Sequence, residues 1–374
     1  MSAATHEADV VIIGGGLHGC SAAYHLAAKG LKPIVLEKNV VARHASSASA
    51  GGVRRLGRDP AEIPLAMASL ELWHRMGDML GATGDFRATG QVRVAETEAD
   101  MAACAARVKL TRSLGYDFER LIDRNELRRL VPAVSPAGMG GIHVERDGYA
   151  FPFKATTAFR HKAEELGAVV REGTGVTGLD RRSDRWEVAT NAGNFRAPVL
   201  VNAAGAWGGE MAAFLGDKVP IEPTALMMMV SERMPHFVDP TVGAISRKLS
   251  FKQMQSGTVV IGGGFKGLVD RITELTELNF QHLAQSARNA AAIFPIMKGA
   301  RLIRCWAGIE GFTPDDLPVI GPSKAAPAAY HSFAFCGHGF QLGPIVGAIT
   351  AELIVNGKTN LPIEPFRVDR FPAH

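Results

Sequence analysis

At 374 residues, 47% hydrophobic and with a formal charge of +4, the chain is too long for one ordinary core and too apolar for disorder, so two interleaved or sequential domains are expected. Lys and Arg are scattered and form no stripe interleaved with aromatics, which excludes the electrostatic footprint of a nucleic-acid-binding protein. Cys20, Cys104, Cys305 and Cys336 make no CxxC pair, so no metal site, iron–sulfur cluster or disulfide framework is expected, and a cytoplasmic location fits.

Residues 2–9 are polar with no basic start, and the apolar run Val10 to Ile13 is too short for a signal peptide or a membrane span, so no direct membrane insertion is expected. The run from Asp9 to Lys38 reads as buried strand, glycine turn, helix, Gly30 stop and second strand, one βαβ unit. A second α/β segment has a helix from Thr156 to Leu166, a Gly167 stop and the strand AVVREGTGV. RWEVAT and NFRAPVLVNAAGAW then flank the turn Asn191–Asn194 as a hairpin. The third piece is C-terminal: HSFAFCG as strand, GHGF, and a helix from about Pro344 to Val355 stopped by Asn356–Gly357. Between these pieces, strand-like runs (GQVRVAE, TALMMMVSE, TVVIGGG) alternate with polar helices. The expected fold class is α/β, a Rossmann-like dinucleotide domain (1–85, 146–214 and 301–374) with an inserted α+β substrate domain (86–145 and 215–300) on a mostly antiparallel sheet. Met227 to Met229 read as core filling or as an interface patch.

Gly14-x-Gly16-x-x-Gly19 directly follows a predicted strand and opens a helix, and Glu37 ends the next strand. Gly14 makes the tight turn, Gly16 lets backbone approach a pyrophosphate, Gly19 permits close helix–strand packing, and the helix N-terminus stabilises the anion. Glu37 suits ribose hydroxyls and disfavours a 2′-phosphate. The fingerprint does not separate FAD from NAD.

Four further segments carry more: ASSASAGGVR (45–54), VNAAGAW (201–207), WAGIEGFTPDDLPVIG (306–321) and CGHGFQLGPIVG (336–347). With the fingerprint they resemble, over the full length, the D-amino acid oxidase, glycine oxidase and sarcosine oxidase family of flavoenzymes. The resemblance implies FAD, with Lys38 beside Glu37, with Ser46, Ser47, Ala50, Gly51 and Gly52 along the diphosphate–ribityl part and the ring, and with Val176 by the adenine. Ala204 and Gly205 form an elbow beside the cofactor. Gly337, Gly339, Phe340 and Gln341 precede a helix whose dipole faces the flavin N1–C2=O edge. Tight packing is the other reading of these small residues. Gly308 and Pro152 fall where relatives attach flavin through Cys or His, so the FAD is expected to be noncovalent.

The resemblance also implies oxidation of the C–N bond of an amino acid or N-substituted amino acid, by hydride transfer to flavin N5 followed by imine hydrolysis. Arg54 and Arg55 are the candidates for the carboxylate anchor, a solvated Arg pair being the alternative. Glu310 and Gln341 replace an Arg and a Lys of relatives. Loss of two positive charges points to a substrate with a guanidinium or second amine, such as an opine, or to hydroxyproline, with sarcosine and glycine behind; a Glu310–Arg304 ion pair is the alternative. Lys266 falls near the oxygen-side lysine of the oxidases, whereas a dehydrogenase would pass electrons to a quinone or to partner subunits carrying FMN, iron–sulfur or NAD sites. The chain would then be the catalytic β subunit of a hetero-oligomer. A flavin-dependent 2-hydroxy acid oxidase or dehydrogenase, with His338 as base, and a noncatalytic flavin-binding subunit are the competing readings.

Overall fold

Val10–Ile13 is buried at every residue, which suits a strand in the middle of a sheet covered on both faces. The computed structural model, which describes residues 5–82 and 84–371, places it in a six-stranded sheet. The strand order is Val319–Pro322, Ala329–Phe333, Val199–Asn202, Val10–Ile13, Pro33–Leu36 and Val169–Arg171. All pairs are parallel except the edge pair formed by Val319–Pro322. N-terminal, middle and C-terminal stretches of the chain thus each contribute two strands. Helices Leu17–Ala27, Pro152–Glu165 and Gly339–Asn356 pack on one another, the first of them making contact with both others.

The helix Gly339–Asn356 is long and apolar enough to cross a membrane, but about two-thirds of it is buried inside the protein, against Leu17–Ala27 and Ile63–His74. It begins five residues before the expected Pro344, so Gly339, Phe340 and Gln341 form its first turn. Pro344 lies inside the helix, in its second turn, where it removes one i→i−4 hydrogen bond. Similarly, the helix expected from Thr156 starts at Pro152, a favoured residue at the first helical position. The expected strand through NFRAPVLVNAAGAW is two strands. Gly193–Ala197 closes the hairpin with Arg185–Thr190 in a separate four-stranded sheet, and Val199–Asn202 joins the parallel sheet. Pro198, which has no N–H for a ladder, marks the change. The run AVVREGTGV is also divided, Val169–Arg171 and Val176–Arg182 lying in different sheets.

A ten-stranded sheet forms the other half. Its main path runs Leu275–Glu277, Lys266–Asp270, Glu222–Arg233, Thr258–Gly262, Ser250–Gln253, Thr241–Ala244, Gln91–Ala95, Gly140–Val144 and Arg120–Asp123. It is antiparallel except where Thr241–Ala244 pairs with Gln91–Ala95. Leu302–Phe312 lies in the stretch given to the dinucleotide domain, yet it pairs along its length with Glu222–Arg233. That strand carries the WAGIEGF segment out of the parallel sheet and into the wall of the second one. Val92, Val94, Val242, Phe251, Val259 and Ile261 all point to one side, where they bury against the helix Phe280–Ile293. Met227 and Met229 are core residues of the same layer, so the methionine run fills the interior and is not a surface patch. Period-two alternation then sends the intervening residues to the opposite face.

Candidate active site: two joined cavities

A cavity of about 610 Å³ begins at the glycine turn. Gly14 has φ +109°, and a Cβ there would stand 2.5 Å from the Ala203 carbonyl oxygen. A Cβ on Gly19 would stand 1.9 Å from the Gly14 carbonyl oxygen, so Gly19 serves helix–strand packing and does not line the cavity. The helix Leu17–Ala27 has no side-chain cap from its N-cap Gly16, and Ser46 Oγ accepts the Leu17 N–H at 2.9 Å. Gly16 and Ser46 both line the cavity. Glu37 Oε2 accepts the Gly15 N–H at 2.7 Å and Oε1 accepts that of Asn39 at 2.8 Å. Burial pushes this carboxyl up, against the two amides and Lys38. Lys38 pairs with Glu274 and sits 3.4 Å from the Trp207 ring centroid.

Glu37 and Val176 line the same cavity as the glycine turn, together with Ala204 and Gly205, and so do Gly337, Gly339 and Phe340. An elongated space at a helix N-terminus that only the Ser46 hydroxyl caps, with a carboxylate at a strand tip and an apolar continuation, fits FAD. Gly16, Leu17 and Ser46 would hold the pyrophosphate, Glu37 the ribose, and Ser49, Gly337 and Phe340 the ring.

Ser49, Glu310, Gly337 and Phe340 also line a second cavity, of about 510 Å³, so the two spaces share a wall. Ala50, Gly51 and Gly52 border this second cavity. Gly51, at φ +70°, approaches so closely that a Cβ would be 2.2 Å from the Ala150 carbonyl oxygen. Residues from the far face of the large sheet build the rest: Gln91 and Arg93, Thr241 and Gly243, Leu226 and Met228, and Lys266.

Several expected contacts go elsewhere. Ser47 donates to the His44 carbonyl at 3.4 Å and lines neither cavity. Gly308 packs under the turn of helix at Ala45–Ala48, where a Cβ would meet Ala48 Cβ at 2.5 Å. Gln341 is fully buried, its Nε2 donating to the Ala66 carbonyl at 2.7 Å and its Oε1 accepting from Arg58 at 3.3 Å. Its carbonyl takes the Ser69 hydroxyl and the Trp73 indole N–H, so Gln341 ties helices together. Arg55 is buried and paired with Asp147 at 3.0 Å; it is an internal ion pair, and only Arg54 of the two faces the cavity. Lys266 lines the cavity, with Nζ 4.9 Å from the Phe312 ring centroid. His338 caps the C-terminal helix and lies 3.1 Å from Glu62 Oε2. Burial lowers the imidazole pKa in spite of that carboxylate.

Glu310 and Arg304 lie six residues apart on one strand, roughly 20 Å at 3.3 Å per residue, so no ion pair joins them. Burial pushes the Glu310 carboxyl up to about 7, against the hydrogen bond from the Gly337 amide. It is the one acidic side chain among the described lining residues of the second cavity, which also include Arg54, Arg58, Arg93, Arg247, Lys248 and Lys266. The cations outnumber this single carboxyl, so Glu310 does not by itself call for the cationic substrate expected from the sequence. The sequence alone did not mark Arg58 and Arg93 as cavity residues, nor the buried Lys252, which lines neither cavity. Lys252 is buried, its Nζ has no hydrogen-bond partner among the described residues, and burial lowers it to about 7. The available signal was a polar residue at every second place in otherwise apolar strands, as in Gln91-Val92-Arg93-Val94.

A family model described as DAO, FAD dependent oxidoreductase, matches residues 9–353. The hydrogen cyanide synthase subunit HcnC of Pseudomonas aeruginosa is 29% identical over 97% of this chain and 96% of that protein. The sarcosine oxidase subunit beta of Rhizobium meliloti is 26% identical over 97% of this chain and 88% of that one. Among solved structures, L-proline dehydrogenase from P. horikoshii superposes with a TM-score of 0.91 at 29% identity, covering 98% of each chain. With a cradle that fits the cofactor and a second cavity against it, the chain belongs to the FAD dependent oxidoreductase family and is an FAD-dependent enzyme of amino acid or amine oxidation.

Proposed function

We propose that the chain oxidises the C–N bond α to a carboxylate in an amino acid or N-substituted amino acid, with Arg54 as the carboxylate anchor. The observation that carries this reading is the second cavity, walled off from the cofactor cavity only by shared residues and containing a guanidinium with no carboxylate in ion-pairing range among the described residues. FAD, when bound, supplies the two-electron acceptor. The protein's part is orientation: Arg54 fixes the acid end by its planar fork, while Leu226, Met228, Phe312 and Phe340 present apolar surface that displaces water. An amino acid arrives as an ammonium, and its nitrogen must lose a proton before the C–H bond can break as hydride. The Glu310 carboxylate, at about 7 and in the wall common to both cavities, is matched to receive that proton at neutral pH.

Two relatives are subunits by name, which supports reading the chain as the catalytic subunit of a heteromeric enzyme. Affinity purification from its own cells, with the co-purifying chains identified, tests that point. The reaction is tested by mixing the holoenzyme anaerobically with secondary and primary amino acids and with 2-hydroxy acids. Bleaching of the flavin band by amino acids supports the reading. Bleaching by hydroxy acids alone overturns it.

A further inference from the structure

The cationic side chains in and behind the wall of the second cavity are not equal, because several already have a carboxylate, while Lys248 and Lys266 lie over the Phe265 and Phe312 rings. Arg55 is paired with Asp147 at 3.0 Å, Arg58 lies 3.6 Å from Glu62, and Arg107 takes Glu119 through Nε and Nη2 at 2.7 and 3.0 Å. Arg247 pairs with Glu96. Two guanidinium groups are left over. Arg54 donates only to the Leu56 carbonyl at 2.6 Å, and Arg93 makes no hydrogen bond or ion pair among the described residues, its nearest acid, Glu119, being taken by Arg107. Both line the cavity, and they converge beside Gly57, where a Cβ would stand 2.8 Å from Arg93 Nη1 and 3.9 Å from Arg54 Nη1.

Two like charges this close in a half-buried wall repel each other and lose solvation, and each disfavours the other's charged form. Burial, with Arg58 and Arg93 beside it, lowers Arg54 to about 9, which leaves it cationic at neutral pH. A fold that keeps both charges uncompensated stores an unfavourable interaction that an anionic ligand relieves. One carboxylate neutralises one of them. We infer that the substrate carries two acid groups, a short dicarboxylic amine, with one carboxylate on Arg54 and the other on Arg93. Glu310 fits this assignment, since its neutral form, reached on taking up a proton, adds no negative charge against the acids. The inference rests on the reading of the reaction given above and fixes the class of amino acid that enters.

The test separates binding from turnover. The holoenzyme is titrated with succinate and glutarate, and with propionate and butyrate, none of which can be oxidised at a C–N bond, following the perturbation of the flavin spectrum. The expected result is that the dicarboxylates bind about ten-fold or more tightly than the monocarboxylates, the scale of one additional charge-assisted contact. In Arg93→Gln that ratio falls towards one, and Arg93→Lys, which keeps the charge, retains a preference. Flavin content and melting temperature are measured on each variant. Since Arg93→Gln removes a repelled charge, it is expected to keep its flavin; should it lose flavin, the wild-type ratio and that of Arg93→Lys decide. Equal affinity for the two classes in the wild type, or an unchanged ratio in Arg93→Gln, overturns the inference. In the anaerobic panel, faster flavin reduction by monocarboxylic than by dicarboxylic amino acids also overturns it while leaving the reaction class standing. Reduction by hydroxy acids alone would overturn the reaction class, and the dicarboxylate ratio would still decide the inference.

Discussion

The carboxyl group of Glu310 is held at about 7 by burial, with the Gly337 amide the opposing influence. A carboxyl whose folded pKa is raised contributes stability below its unfolded value and loses it as pH rises through the folded one. In flavin-free protein, Glu310→Gln should therefore change little at about pH 4 and stabilise by up to about 3 kcal/mol at about pH 9, the linkage equivalent of the shift. Chemical denaturation at the two pH values measures this, and an equal effect at both would show that the carboxyl is not perturbed. Activity should change in the opposite sense. As proton acceptor, Glu310 gives a kcat/KM that climbs with pH and levels above about 7, and Glu310→Gln should lower the plateau about 100-fold and remove that break. A variant that keeps the break places the titrating group elsewhere, with His338 next in line because it also lines the cavity.

At the scale of elements, the turn between Lys266–Asp270 and Leu275–Glu277 reaches from the large sheet to the mouth of the cofactor cavity, where Arg271, Ile272 and Glu274 line it. Glu274 pairs with Lys38, accepts from Asn39 Nδ2 at 2.9 Å and lies 3.6 Å from His44, while Arg271 pairs with Glu210. These contacts clasp the second half of the molecule onto the cofactor site. They are part-exposed, so each is worth little; Glu274→Ala should quicken FAD release about five-fold without changing the fold, as read from recovery of flavin fluorescence on dilution. An unchanged release rate would mean that the turn does not hold the mouth. None of this turn was legible in the sequence, since its partners are distant along the chain, Lys38 lying 236 residues from Glu274 and Glu210 lying 61 from Arg271. What was legible was local: the glycine turn, whose backbone demands only Gly can meet, and the apolar runs of the parallel strands. No strand was read at 302–312, within the stretch given to the dinucleotide domain, because its pairing with Glu222–Arg233 is fixed by long-range register. Arg93 and Lys252 were overlooked for a related reason. Alternation shows that they share a face, but whether that face meets water or a cavity depends on what the rest of the chain stacks against it.

For the molecule as a whole, the cavity that fits the cofactor lies where stretches distant in sequence converge, and whether FAD is attached there depends on the nucleophiles around it. Covalent flavin needs a thiolate or a neutral imidazole beside the ring. Burial raises the thiols of Cys20 to about 12 and of Cys104 and Cys336 to about 11, and raises that of Cys305 as well, so none is a ready nucleophile at neutral pH. Cys336 comes nearest, lining the second cavity, but its sulfur is engaged with Thr313 and with the Ala334 carbonyl. His18 and His44 line the cofactor cavity as neutral imidazoles, but each ring is engaged by an aromatic neighbour, His18 stacked on Phe335 with centroids 3.6 Å apart and His44 leaning on Trp207 at 4.6 Å. Gly308 and Pro152, where the resemblance led one to look for an attaching side chain, have no nucleophile to offer. The FAD should therefore be held by the cradle alone. Acid precipitation of the purified protein should leave the flavin in the supernatant as intact FAD, with a colourless pellet, and dialysis against potassium bromide should yield apoprotein that regains its yellow colour with FAD. The thermal midpoint of that apoprotein should rise with added FAD, following about 2.7 kcal/mol at a hundredfold excess over Kd. Flavin retained in the acid pellet would show a covalent bond, with His18, His44 and Cys336 the cavity-lining side chains to replace in turn.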